Sequence, residues 1–440
     1  MILDERARWF GFFLLDRLRG GKVRRYYDDI RKSYREGTSV QETNEKIRRL
    51  IAHARATTEF YKEIPENAEL SDMPIVNKDT FRNHYDAFIS SEFADRKGCR
   101  EMSTSGSIGT PLTVIQNSDK IAHDTAEGIF FGAMAGYYIG MKMGFLRVWV
   151  NNVKKGKLRL LAENMIMVDT SDLSDEGCRK MLDMFRKKRV KALVGYASSL
   201  GELSRYIDRN HVDTSRFRIR SIIPISESMP SVTRKRLSEQ FSCPVQAWYS
   251  NEENGIMGVQ PPDGDSYYID TENYYYEILK MDSDEPASPG EPGRIVITDL
   301  NNYAFPIIRY DNGDIAVADR KHHGDRYRLI LKELYGRRSD TIYDTAGHAL
   351  TPYVITNNLW DVPGVRQYQF IQNTETVYTL RLNGDRDKMD TEDILGRIRP
   401  YFGENADIRI EFVDEIPVLN SGKRKYIQNL CENQRSTIGR

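Results

Sequence analysis

The chain has 440 residues, with 64 Lys and Arg against 64 Asp and Glu, 40% hydrophobic and 29% charged side chains, and a mean hydropathy of −0.58. A net charge of zero gives no chain-wide pull on nucleic acid or anionic lipid, which disfavours a general polyanion binder and leaves any such contact to a local patch. No apolar run approaches the ~18 residues of a membrane span, Trp9 to Leu15 being too short and followed by Asp16, so a soluble, unsecreted, cytoplasmic protein is expected. Four cysteines, Cys99, Cys178, Cys243 and Cys431, lie far apart with no CxxC pair, which supports neither a disulfide framework nor a zinc knuckle.

Residues 1–95 read as helical. Trp9, Phe10, Phe13, Leu14 and Leu18 recur at helical spacing, and Ile47, Leu50, Ile51 and Ala54 repeat the pattern before Pro65 ends it. Residues 1–36 hold ten Lys/Arg and six Asp/Glu. An amphipathic helix docked on the body with a solvated basic face accounts for this, and a weak membrane or partner contact is the alternative.

The middle of the chain alternates. Val190 to Tyr196, Ile219 to Ile225 and Val245 to Tyr249 are short apolar runs, separated by helical Ser198 to Arg209 and by Ser231 to Phe241 with Pro230 at its start. Strand, helix, strand, helix, strand implies a parallel sheet with right-handed crossovers. Ligands of such sheets sit beyond the carboxyl ends of the strands, so Tyr196, Ser226 and Trp248 are candidates for a substrate pocket.

From Arg294 the texture changes. Arg294 to Asp299 alternates, and Ile307 to Tyr310, Asn312-Gly313 and Ile315 to Ala318 read as a hairpin or tight turn. A polar stretch from Tyr335 to Asp340 precedes a tail with two alternating runs (Gln367 to Gln372 and Val377 to Leu382), a helix from Glu392 to Tyr401, a strand at Ile408 to Phe412 and a loop at Asn420-Ser421-Gly422. The fold class expected is α/β: an N-terminal helical segment at 1–95, a main domain at 96–339 with parallel and mixed sheets, and a small mobile α+β domain at 340–440, hinged near Asp340.

Several motifs carry chemistry. Ser103 to Pro111 is the densest cluster of small polar residues, where glycines let backbone approach an anion and hydroxyls cradle phosphate oxygens; a plain surface loop has the same composition. No Gly-Lys-Ser/Thr follows, so it is not a Walker A loop. Tyr249 to Glu253 follows the third strand, where a carboxylate can hold Mg²⁺ on a nucleotide's phosphates or simply be a solvated acidic loop. Asp314 lies past a turn, placed to accept both hydroxyls of a ribose, although Asp and Asn-Gly are also ordinary turn residues. Arg337 offers a guanidinium to phosphate or belongs to a charged linker, and Lys423 sits on a flexible loop. The pair His322-His323 reads as an exposed loop, and adjacent histidines cannot easily share one metal.

Taken in order and spacing, the chain resembles the adenylate-forming superfamily of AMP-forming ligases, within it the phenylacetate-CoA ligase-like branch that includes relatives from capsular-polysaccharide gene clusters. Met73-Pro74-Ile75-Val76-Asn77-Lys78 looks like that branch's opening segment, and Gly195-Tyr196-Ala197-Ser198 and Gly290 to Asp314 are close to its pattern. The resemblance implies that Thr104, Ser105, Gly106, Ser107 and Gly109 form the phosphate loop, Tyr249 stacks on adenine, Glu253 holds Mg²⁺ and Asp314 binds the ribose. It further implies that Arg337 contacts the nucleotide, Asp340 is the hinge, and Lys423 reaches the reacting carboxylate and α-phosphate. The implied activity is ATP-dependent activation of a carboxylic acid as an acyl-adenylate, followed by transfer to coenzyme A. Transfer to an amine or hydroxyl acceptor, and a nucleotide-binding scaffold without catalysis, are the alternatives. Three departures stand out: Ile108 in place of the family's threonine, Glu252 in place of Ser/Thr, and Ser221-Ile222-Ile223-Pro224 in place of Gly-x-Glu-Pro.

Overall fold

Two glycines with positive φ, Gly20 at 98° and Gly21 at 67°, reverse the chain between helices α1 (Ile2–Leu18) and α2 (Lys22–Glu36). The Asp16 carboxylate accepts the amides of Val23 and Arg24, satisfying two free donors in the first turn of α2. The computed structural model describes residues 2–103, 112–149, 156–338, 341–350, 353–359, 362–417 and 425–431.

Helix α3 (Val40–Thr57) is capped by Ser39 Oγ, which accepts from Glu42 N at 3.2 Å, and it buries Ile47, Leu50, Ile51 and Ala54 on one face. It stops before the expected Pro65, at the point where Thr58 Oγ1 bonds back to the Ala54 carbonyl at 2.7 Å. Helix α2 docks on α4 (Ser118–Met134): Tyr26 stacks on His123 with centroids 3.5 Å apart, and Lys22 Nζ pairs with Asp119 at 2.6 Å. Helix α1 departs from the expected docking, because its apolar residues Phe10, Leu14 and Leu18 are exposed while Glu5 and Asp16 face the body.

The parallel sheet consists of β1 (Met143–Arg147), β2 (Met165–Asp169), β3 (Ala192–Tyr196) and β4 (Ser221–Ile225), in the order β2-β1-β3-β4. Helices α5 (Asp175–Lys188), α6 (Ala197–Arg209) and α7 (Ser231–Phe241) supply Leu182, Phe185, Leu200, Leu203 and Leu237 to its core. The chain goes from β1 out to β2 and returns past β1 to β3, so the topological switch point lies between Arg147 and Tyr196. At that crevice Gly195 is obligatory, since a Cβ there would lie 2.6 Å from Leu146 Cβ.

The third apolar run leaves this sheet. Val245 forms a single parallel bridge with Ile222, and from there β5 (Ala247–Asn251) pairs antiparallel with β6 (Gly255–Gln260). It continues into an antiparallel sheet with β7 (Tyr267–Ile269), β8 (Tyr274–Leu279), β9 (Gly293–Asp299), β10 (Tyr310–His323) and β11 (Arg326–Arg337), in the order β8-β9-β10-β11-β7-β6-β5. Strand β9, expected to alternate, is buried at every residue because both of its faces are covered. The hairpin expected at Asn312-Gly313 is instead a bulge inside the continuous strand β10: Val296 faces Asp311 while Arg294 faces Ile315, and Gly313 has φ 83°. Tyr335 to Arg337, expected as linker, ends β11.

Residues from Ile342 onward build a core of their own from Tyr368, Phe370, Tyr378, Leu380 and Ile394. Its sheet holds β12 (Val365–Gln372), β13 (Val377–Gly384), β14 (Asp407–Phe412) and β15 (Ile427–Asn429), in the order β14-β13-β12-β15, with helix α8 (Thr391–Ile398) packed on it. The architecture is mixed α/β, as the sequence leads one to expect. His322 and His323 are exposed at the end of β10, and all four cysteines are free. No described helix is long and apolar enough to cross a membrane.

Candidate active site where the two sheets meet

The change of sheet at β5 creates the site. Strand β5 ends in a tight turn closed by Asn251 Oδ1, which accepts Asn254 N at 2.7 Å, and this turn holds Glu253 with a side chain 2% exposed. The bulge in β10 presents Asn312 and Asp314, and Asp314 sits in register with Arg337 at the end of β11. Four side chains from three strands and a turn therefore converge.

Their bonds are specific. Tyr249 donates its hydroxyl to Asp314 Oδ2 at 2.7 Å, and Asn312 Nδ2 donates to both that hydroxyl (2.8 Å) and Asp314 Oδ2 (3.0 Å). Arg337 Nε lies 3.4 Å from Asp314 Oδ1, while its Nη1 donates to the Asn312 carbonyl at 3.0 Å. On the other side, Tyr310 donates to Glu253 Oε1 at 2.9 Å, and Lys78 Nζ stands 2.9 Å from the same oxygen. The Arg337 side chain is 42% exposed, so it is the group here that most directly meets solvent.

The electrostatics follow from burial. Burial pushes the Tyr249 hydroxyl well above its ordinary value, and the Asp314 charge reinforces this, so it stays a donor. For Glu253 burial alone would raise the pKa, but the Lys78 ammonium and the Tyr310 hydroxyl outweigh it and hold the carboxyl below its usual range. The site is thus an ionised carboxylate with one cation already beside it, and a second carboxylate neutralised by Arg337.

Below the turn lies a charged network that sequence reasoning missed. Lys120, fully buried, contacts Asp299 at 2.8 Å, Asp124 at 3.1 Å and the Tyr274 hydroxyl at 2.8 Å. Tyr274 in turn donates to the Asn254 carbonyl, one residue from Glu253, and Arg100 pairs with Asp124. Lys120, Asp124 and Glu127 share one face of α4, a spacing that reads as a solvated charged face; only the topology reveals that this face points inward.

At the edge of the parallel sheet, Tyr196 and Arg147 flank the switch point. Burial raises the Tyr196 pKa, opposed by Arg147, whose guanidinium also lies 5.5 Å from the Trp149 ring centre. Ser226 holds a positive φ of 67° just past β4, and the Trp248 ring packs near Val194 and Ile223. Thr104, Ser105, Gly106, Ser107, Gly109, Asp340 and Lys423 lie outside the described residues. The ends of the glycine loop are held together by Ser103 pairing with Thr113, their hydroxyls 2.8 Å apart.

Comparison with known proteins bears on this arrangement. A family described as the CapK C-terminal domain matches residues 342–430. Protein CapK of Staphylococcus aureus is 22% identical over 428 residues, spanning 92% of this chain and 93% of that protein. Phenylacetate-coenzyme A ligase of Thermus thermophilus is 23% identical over 292 residues, covering 62% of this chain and 64% of that protein. The chain is similar to CapK and to phenylacetate-coenzyme A ligase. Its fold is that of 2-hydroxyisobutyryl-CoA ligase, which, solved in the postadenylation state in complex with 2-HIB-AMP, superposes with a TM-score of 0.70 at 14% identity, over 92% of this chain and 93% of that one. The same ligase in its thioesterification state gives 0.55.

Proposed function

We propose that this chain joins a carboxylic acid to AMP and passes the acyl group to coenzyme A. A carboxylate oxygen of the acid attacks the α-phosphorus of ATP and the bond to pyrophosphate breaks. The thiol then adds to the acyl carbon, the bond to AMP breaks, and the thiol proton departs to solvent or a base. What supports this reading is the bonded group of Tyr249, Asp314 and Arg337 with the Glu253 carboxylate near enough to act on the Arg337 charge, at the edge where the sheets join.

In this reading Asp314, oriented by Tyr249 and Asn312, receives the ribose, and Arg337 faces the phosphates together with the 104–109 loop. The donor set suits Mg²⁺, since Glu253 is ionised and a single carboxylate beside phosphate oxygens is how this ion is usually held. When bound, the ion would neutralise phosphate charge as the second anion approaches. Lys78 shares the Glu253 oxygen and holds it charged in the meantime.

Carboxylate-dependent exchange of pyrophosphate into ATP, screened over a panel of acids, tests the first step. Product masses with and without coenzyme A separate transfer to a thiol from transfer to an amine or hydroxyl. If no acid supports exchange, the adenylation reading fails.

A pH profile gives a second test. The active form of Glu253 is the carboxylate, so its ionisation sets an acid limb on which the rate rises with pH. Lys78→Met removes the cation that holds this pKa down, so the acid limb of kcat/KM should move to higher pH. An unmoved limb in that variant would separate Glu253 from the rate.

A further inference from the structure

Helix α1 presents a row of apolar side chains to the exterior. Three of its polar groups bind the body: Glu5 pairs with Lys191 at 2.7 Å, the Arg8 guanidinium donates to the carbonyls of Leu161 and Ala162, and Asp16 caps α2. Its apolar groups face out, Phe10 at 63%, Leu14 at 45% and Leu18 at 75% exposed, one above the other at i, i+4 and i+8. Of the ten large apolar side chains exposed among the described residues, five belong to this one helix, with Trp9 and Leu15 completing the set. An apolar concentration of this kind marks a contact surface rather than ordinary exterior.

The charges around it select the partner. Arg6, Arg17 and Arg19 are exposed, while the described acidic side chains of α1 are turned inward. We propose that α1 docks the protein on an anionic lipid bilayer, its apolar stripe entering the acyl boundary and its arginines meeting the headgroups. A helix lying in the interface plane binds by this combination of buried apolar area and attraction to anionic lipid. A symmetric contact between two copies would set arginine against arginine, which argues against self-association as the use of this face. The neutral chain offers no competing long-range pull, so the effect rests on this corner.

Sedimentation with vesicles tests the proposal. The full chain should pellet with phosphatidylcholine vesicles containing phosphatidylglycerol, remain in solution with phosphatidylcholine alone, and be released by salt. A Phe10→Ser, Leu14→Ser, Leu18→Ser variant should lose binding. An Arg6→Gln, Arg17→Gln, Arg19→Gln variant should bind roughly a hundred-fold more weakly, each arginine near an anionic surface being worth about five-fold. Circular dichroism and pyrophosphate exchange equal to those of the parent verify that both variants fold. A parent protein that stays in solution with both vesicle types, or pellets equally with both, overturns the proposal. So does a parent dimer that the serine variant converts to monomer, since that assigns the face to a second copy.

Discussion

Replacing Lys423 by alanine is expected to lower acid-dependent pyrophosphate exchange by roughly 10²–10³, the scale of losing one preorganised transition-state group. The reason lies in the charge balance of the proposed first step. A carboxylate must approach a triphosphate, and the groups near Glu253 and Asp314 already compensate each other: Lys78 answers Glu253, and Arg337 answers Asp314. A further cation is needed for the charge that develops between the acid and the α-phosphate, and the resemblance gives that role to Lys423. Because the second step has no pyrophosphate to displace, thioester formation from supplied acyl-adenylate and coenzyme A should survive the substitution. Exchange at parental speed in the variant would remove Lys423 from the chemistry. Loss of both half-reactions together would place it in folding or nucleotide binding instead. The proposed turning of residues 340–440 about Asp340 is what would withdraw this lysine between the steps.

The fold class and part of the candidate patch are legible in the sequence, and particular residues show where the reading stops. Tyr249, Glu253, Asp314 and Arg337 stand out by type and order along the chain, and the structure bonds Tyr249, Asp314 and Arg337 together with Glu253 near them. Their partners Asn312, Tyr310 and Lys78 lie in segments that stand out but carry no site role in the sequence reading, because hydrogen bonds across strands depend on register that no local window contains. Asn312-Gly313 signals a residue pair tolerant of positive φ, and a turn and a bulge demand the same chemistry; the pairing of β9 with β10 decides between them. Strand β5 looks like its parallel predecessors since all three are short apolar runs, and its change of sheet is fixed by β6, which follows it. Helical periodicity shows that Phe10, Leu14 and Leu18 share a face, but which face the body takes is settled by Lys191 meeting Glu5 and by Asp16 capping α2.

The buried network under the turn should respond most sharply to Lys120→Met, with a loss of about 3–5 kcal/mol in unfolding free energy, the usual cost of removing one partner from a buried ion pair. Methionine fills similar space, so the loss is electrostatic. Asp299, fully buried, would keep its carboxylate with no cation against it, whereas Asp124 would retain Arg100. Glu127 should behave differently although it belongs to the same cluster. Burial pushes its pKa well above the ordinary value against the opposing Lys120 charge, and it is already bonded to Ile256 N, Asn273 and Tyr274, while the two cations Lys120 and Arg100 pair with Asp299 and Asp124. Glu127→Gln should therefore cost no more than about 1 kcal/mol, the scale of one neutral hydrogen bond rearranged. The sign of the pH effect separates the two cases. A carboxyl whose folded pKa lies above its unfolded value binds an extra proton when folded, so stability falls as pH rises from the unfolded value through the folded one. Asp270, pushed up to about 6 by burial, adds slope of the same sign, and because it lies in the field of Glu127 and shares the Asn273 amide with it, the difference between parent and Glu127→Gln reports the pair. Urea unfolding across that range should show a steeper fall for the parent than for Glu127→Gln. Equal slopes, or a Lys120→Met protein as stable as the parent, would mean that the cluster is relaxed by water, and the turn carrying Glu253 would then owe its geometry to the Asn251–Asn254 bonds, the β5–β6 pairing and the Tyr310 and Lys78 contacts.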